Sequence, residues 1–325
     1  MTETAPSDVG RAEKTRSRLS TSLILLFVLA GMLAVFSLLS RDFYSYLNIS
    51  TMVTNIAFSG IVAGTLTLIM ISGGLDISIG GNIALTSCLV AFLYDKAGWP
   101  SGLAILAGLL LGTAIGAFNG VFITQLDLNP IITTLGTMAI TRGMGYVLTK
   151  GLSIGIIENL TGFISRGAVA RIPVPIFLLA IVYVVLGFVL ARSKFGRKVY
   201  SIGANPQAAE VSGIKTRKVK FLLYLFSGIA GAISGLILAG QTGVGMPQHG
   251  RGMELDVITA VLLGGCSLAG GKGSILGTLL GVLILAVLYN GFTMIGFRFV
   301  HISVFQGILL ILVVALYEIR EKKRY

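Results

Sequence analysis

The chain has 325 residues, 54% hydrophobic and only 12% charged, where a soluble domain carries about 25% charged residues; that is too little charge to cover a water-facing surface. Its net charge of +12 would suit a nucleic-acid binder. The cations gather in patches between apolar runs, though, which is the sorting of loops across a membrane and gives no reason to expect nucleic acid. Unbroken apolar runs of about 20 residues exclude a β-barrel, whose strands alternate over about 10, and predict an all-α, polytopic transmembrane helical bundle.

Taken in order, the polar stretch 1–19 carries Arg11, Lys14, Arg16 and Arg18. The apolar run Leu23–Leu39 follows and imitates a signal peptide. It is long, and Ser37–Arg41 offers no small-x-small cleavage site, so it reads as a retained first helix. About ten spans are predicted, at 20–40, 52–72, 77–94, 101–125, 131–149, 174–192, 221–241, 255–269, 274–296 and 301–319. The third and eighth have the least distinct limits, and Gly264–Gly265 breaks the eighth. With both termini cytoplasmic, 17 of the 25 Lys and Arg residues fall inside and seven outside, with Arg142 within a span. That bias supports the orientation and an even number of spans. The domain plan is a basic tail over 1–19, a transmembrane body over 20–320 that carries the cytoplasmic loop 193–220, and a basic tail over 321–325.

The 43 glycines are the second oddity. Gly108, Gly112, Gly116 and Gly120 form a ridge along span four, Gly273, Gly277 and Gly281 along span nine, and Gly231 and Gly235 a shorter one along span seven. Small residues let backbones approach closely in a bilayer, so the ridges read as helix packing within one subunit or as the lining of a mobile seam. Two further clusters interrupt spans: Gly73–Gly74 through Gly80–Gly81, and Gly264–Gly265 through Gly270–Gly271. Each is either a tight cytoplasmic turn or irregular backbone beside a pathway. On the second alternative Gly73, Gly74, Asp76, Gly264 and Gly265 border the translocation pathway.

No catalytic constellation is legible. His249 and His301 lack metal-ligand spacing. Cys88 and Cys266 read as small core residues, and no phosphate-cradling glycine loop is present. No cofactor is expected. A charge at the bilayer centre costs about 2.5–3.5 kcal/mol on insertion scales. Asp76 is therefore expected to cap the following helix, and Arg142 to snorkel from the outer end of span five.

The stretch from Arg192 to Lys220 differs from the rest. It holds eight basic residues, with Glu210 the only acid. Within it Asn205 suits an N-cap, Pro206 the first helical position and Gly213 the C′ position, which predicts a short helix over 205–213. Such a helix can seat in a groove of a cytoplasmic partner or lie on anionic lipid; its weak apolar face favours the partner.

Four blocks together carry a family resemblance. Ser201–Ile214, spanning Asn205, Pro206, Gln207, Ala208, Ala209, Glu210 and Gly213, resembles the ATPase-coupling segment of ribose-type ABC importer permeases. Ile71–Gly80 resembles that family's G-G-[IL]-D-[LI]-S-[VI]-G signature. Thr134–Met138 with Arg142–Gly143, and Glu254–Ile258 through Gly277–Thr278, supply the third and fourth, in order over about residues 50–320. The resemblance implies a multi-pass permease of the bacterial inner membrane. It would pair with a second copy or a related permease and take a small sugar or the sugar-like signal autoinducer-2 from an extracytoplasmic binding protein. Separate cytoplasmic ATPase subunits would drive it, and the chain itself would not be an enzyme. The chain departs from the family at Pro206–Gln207, where acidic residues are common, with Glu210 as a compensating acid. The alternative is a self-sufficient carrier or channel for a small polar solute.

Overall fold

The computed structural model describes residues 9–156, 160–170 and 172–322. The ends of both basic tails, and Arg171 of the outer charge count, lie outside the described residues. The fold is helical, with two pairs of two-residue strands: Ile154–Gly155 antiparallel to Val244–Gly245, and Ala168–Val169 antiparallel to Ile172–Pro173.

The helices are α1 Val9–Leu39, α2 Tyr46–Ile71, α3 Ile79–Ala91, α4 Ser101–Thr124, α5 Pro130–Thr149, α6 Leu160–Arg166, α7 Val174–Arg192, α8 Lys194–Ala204, α9 Pro206–Val211, α10 Thr216–Thr242, α11 Met253–Leu263, α12 Ile275–Met294 and α13 Phe299–Lys322. A π-helical turn, Phe92–Lys96, prolongs α3. Six helices are long and apolar enough to cross a membrane: Ser22–Leu39 within α1, then α2, α4, α7, α10 and α12. Among the described residues, six of the ten predicted spans therefore meet that length and composition criterion as single helices. The other four predicted spans correspond to α3, α5, α11 and α13. The shortfall has a physical cause at α11, whose 11 residues reach only about 16 Å at 1.5 Å per residue, against a hydrocarbon core of about 30 Å.

The core is organised around α2, which is buried almost without interruption from Ile56 to Ile71. Gly60 and Gly64 let α7 close on it, with Leu179, Leu186 and Tyr183 lying where side chains would stand. The predicted glycine ridges all pack within this one subunit. Gly112 and Gly116 of α4 meet Gly228 of α10, backbone against backbone, and Gly277 and Gly281 of α12 meet Gly264 and Ala260. Gly231 and Gly235 of α10 receive Asn82 and Ile83 of α3. Because lipid tails are as apolar as leucine, such close approach supplies the packing on which helix association in a bilayer depends.

Candidate functional site

The loop 193–220 is two helices rather than one. Ser193 caps α8, accepting from Gly196 N at 3.0 Å. Gly196, Val199 and Ile202 of α8 are buried, while Lys194, Arg197 and Lys198 are exposed. Helix α9 then starts as expected: the Asn205 side chain accepts from Ala208 N at 2.9 Å, and Pro206 occupies the first turn. Gly213, at φ +79°, ends it. Ile214 N donates to Ala209 O and Gly213 N to Glu210 O, the paired closure of a left-handed C′ residue. Ala209 is buried; Pro206, Gln207, Ala208 and Glu210 are exposed. Val211 is 90% exposed, an apolar side chain held off the body of the protein. Glu210 accepts from Thr216 Oγ1 at the start of α10, tying α9 to that long helix. Arg192, Lys194, Arg197, Lys198, Lys215, Arg217 and Lys218 of this stretch are exposed and Lys220 is half-buried.

Three glycine segments meet behind α9. Gly203 of α8 leaves no room for a side chain: Ile71 O fills that position, with Gly271 N at 2.5 Å. Gly271 N donates to Ile71 O at 2.8 Å, and Tyr200 Oη donates to Gly273 O at 2.9 Å. Gly270 lies against Gly73. The end of α8, the end of α2 and the turn after α11 are thereby locked into one junction. The turn bends at Gly265, φ +87°. Gly264 abuts the Gly277 backbone, 2.5 Å from where a Cβ would stand.

The first glycine cluster is not a tight turn. After the turn at Ser72–Gly73 the chain has no regular structure over 74–77 before α3 begins, and it lies half-buried to buried against α10 and α4. Gly74 packs on Tyr224, whose hydroxyl donates to Leu75 O at 3.2 Å. Asp76, 2% exposed, accepts from Ser78 N at 2.9 Å, Ser78 Oγ at 2.6 Å and Ser227 Oγ at 2.7 Å. Asn119 Nδ2 donates to Ser78 Oγ at 2.8 Å, and Thr137 Oγ1 to Asn119 Oδ1 at 2.6 Å. Four elements thus satisfy one buried carboxylate and an irregular backbone, the condition under which such backbone persists at membrane depth.

Arg142 does not snorkel. Its Nη1 donates to Pro247 O at 3.4 Å, in the connection between α10 and α11. Its Nη2 and Glu254 Oε2 are buried without hydrogen-bond partners, both crowding the point where a side chain on Gly80 would begin. His249 in the same connection is buried, its ring nitrogens 3.1 Å from Ser87 Oγ and 3.3 Å from Thr242 Oγ1. Burial lowers its pKa to about 4. Among the described residues no cluster of His, Cys, Asp or Glu could hold a metal ion.

Residues 48–314 match the family described as branched-chain amino acid transport system / permease component. The chain belongs to this permease family. It is 38% identical to the ribose import permease RbsC of Bacillus subtilis over 87% of this chain and 88% of the relative. It is 36% identical to the autoinducer 2 import permease LsrD of Klebsiella pneumoniae over 78% of each. It is 29% identical to the L-arabinose permease AraH of Azospirillum brasilense over 94% and 89%. No solved structure matches.

On this permease scaffold Gly73 and the turn after Gly265 come together at the junction, whereas Asp76 lies apart in its own polar cluster. Sequence reasoning missed α8, Val211 and a polar stripe along α2 formed by Asn48, Thr51, Asn55 and Ser59. The stripe recurs every three to four residues, a signal present in the sequence but overridden there by the helix's apolar average.

Proposed function

We propose that this permease is the membrane-spanning subunit of an ATP-driven importer for a small sugar or sugar-like solute in the bacterial inner membrane. The observation that carries the reading is the capped, outward-facing α9, whose supporting helix α8 ends in backbone contact with α2 and the turn after α11. Short linkages of this kind transmit displacement, because packed glycine backbones have no compliant side chains between them. An ATPase pair docked on Pro206, Gln207, Ala208 and Val211 would push α8 and α9. The junction at Gly73 and Gly270–Gly271 would pass the shift to α2, and Gly264, Gly265, Gly74 and Asp76 would lie where the two packings differ. Nucleotide supplies the differential stabilisation that alternating access requires.

In this reading a second copy or a related permease completes the pathway, and an extracytoplasmic binding protein delivers the solute to the side away from α9. The chain would cross the membrane ten times with both termini inside, α3 prolonged by its π-helical turn and α11 serving as a half-helix continued by the irregular turn after it. The relatives' printed substrates, ribose, L-arabinose and autoinducer 2, support a sugar-like solute.

The test is reconstitution of the purified chain in liposomes, with and without a cognate ATPase and binding protein. Uptake that requires ATP and both partners supports the proposal. Uptake by the chain alone under an ion gradient overturns it and makes the protein a self-sufficient carrier.

A further inference from the structure

We infer that the cavity between α2, α11 and α12 is a binding site within a single subunit for a small uncharged polyol. The inference rests on the importer reading and goes beyond it by placing the solute.

The cavity measures about 730 Å³, within the roughly 300–1,000 Å³ of small-molecule sites. Its wall on α2 is the polar stripe of Asn48, Thr51, Asn55 and Ser59. Thr51 and Asn55 are exposed and line the cavity. The Thr51 and Ser59 hydroxyls donate to Leu47 O and Asn55 O within the helix, and Asn55 Oδ1 accepts from Gln241 Nε2 at 3.2 Å, so the stripe offers hydroxyl lone pairs and the Asn55 Nδ2 donor. On the opposite wall Asn290 of α12 exchanges two hydrogen bonds with Asn48, at 3.0 and 2.7 Å. Asn48 Nδ2 also donates to Phe43 O at 2.8 Å, so both of its N–H groups are used, while Asn290 keeps one further N–H and each amide oxygen a free lone pair. Asp256 of α11 is held by Tyr289 Oη at 2.8 Å and by Gln306 of α13, both on Oδ1, leaving Oδ2 as an acceptor. Apolar side chains of α11 and α12 complete the lining. Amide and hydroxyl groups with the two carboxylates of Asp42 and Asp256, over an apolar floor, match the alternating hydroxyl and C–H faces of a polyol.

The lining also excludes other solutes. No Lys, Arg or His contributes to it, so a carboxylate or phosphate has no counter-charge, and an amino acid would bury its carboxylate unpaired. The cavity opens on the half of α2 remote from the junction. Asn55 stands 16 residues before Ile71, about 24 Å along the helix at 1.5 Å per residue. Solute and motor would thus act on opposite ends of the same central helix.

The test uses the full-length chain in lipid nanodiscs carrying Thr51→Cys, whose new thiol lines the cavity while the native Cys88 and Cys266 are buried. Labelling by N-ethylmaleimide is followed with D-ribose, L-arabinose, leucine or choline present. The expected result is slowing by either sugar, about tenfold at a concentration about ten times its dissociation constant, with no slowing by leucine or choline. Protection by leucine or choline alone, protection by nothing, or a Thr51→Cys chain that does not label at all would each overturn the site. A Gly136→Cys chain, with open space at the substituted position, should label equally with and without sugar. In the assembled importer Ser59→Trp should cut uptake at least tenfold with the ATPase still bound; undiminished uptake would count against the site. Because labelling needs no ATPase, a failed protection experiment leaves the importer reading standing, and ATP-independent uptake leaves the cavity standing.

Discussion

Gly203 concentrates the mechanical demand of the fold on one Cα. Its missing side chain lets Ile71 O and Gly271 N approach from two other segments. Gly203→Ala should force the three apart at a cost of about 1–3 kcal/mol, the usual range for overpacking. In the assembled importer the expected outcome is continued ATP hydrolysis with uptake reduced more than tenfold, read by assaying both in the same vesicles. A parallel fall in both would place the defect in assembly instead. Asp76 is the complementary case. Asp76→Leu strands Ser78 N–H and the Ser78 and Ser227 hydroxyls in a buried site, at about 1–3 kcal/mol for each donor left unpaired. It should lower the melting temperature, whereas Asp76→Asn, which keeps an acceptor oxygen, should lower it less. The caps of α9 were legible in the sequence because capping is local: Asn205, Pro206 and Gly213 lie within nine residues. The partners of Asp76 were not. Ser227, which donates to Asp76, and Asn119, which donates to Ser78 Oγ, are ordinary polar residues of distant helices, and only the fold brings them to one cluster.

At the scale of elements, the glycine ridge of α4 has a direct consequence. An added Cβ at Gly112 would stand 2.7 Å from Gly228 O, so Gly112→Leu must separate α4 from α10 rather than rotate a side chain away. The expected result is loss of folded protein in mild detergent, measured as the monodisperse fraction on size exclusion. Gly136→Leu, with open space around it, should leave that fraction unchanged. Helix α9 gives a prediction of opposite kind. Val211 touches nothing within the subunit strongly enough to bury it, so Val211→Asp should leave stability within about 0.5 kcal/mol, as surface changes usually do, while weakening ATPase pull-down. The ridges were readable because a four-residue period survives any register. Helix α8 was not: its buried Gly196, Val199 and Ile202 are set among five polar or charged residues, so composition marked a loop while periodicity marked an amphipathic helix. Helix α11 is shorter than the span predicted at 255–269 because apolar content does not reveal where the backbone leaves a helix. Irregular chain held in protein is as apolar as the helix it replaces.

For the molecule as a whole, the two interruptions meet each other at Gly73 and Gly270, while the far end of the first, at Gly80, meets Gly250 of the connection 243–252 together with Arg142 and Glu254. The charge asymmetry in the sequence specified an orientation without specifying that interior. The connection 243–252 makes the interior sensitive to pH through His249. Its folded pKa, about 4, lies below the roughly 6.5 of an unfolded histidine, because burial disfavours the imidazolium and the polar groups facing the ring, Ser87 and Thr242, are neutral. The unfolded chain therefore binds the proton first. Stability from this group is intact above about pH 6.5 and falls as pH drops toward 4, by about 1.4 kcal/mol per pH unit within that window. Cooling of the melting temperature between pH 7 and pH 5 should accordingly be larger in the native chain than in His249→Gln, which keeps a neutral hydrogen-bonding side chain of similar reach. Equal pH slopes in the two proteins would mean that the ring is already accessible to water, and that the connection does not pack against α3 as tightly as the Ser87 contact implies.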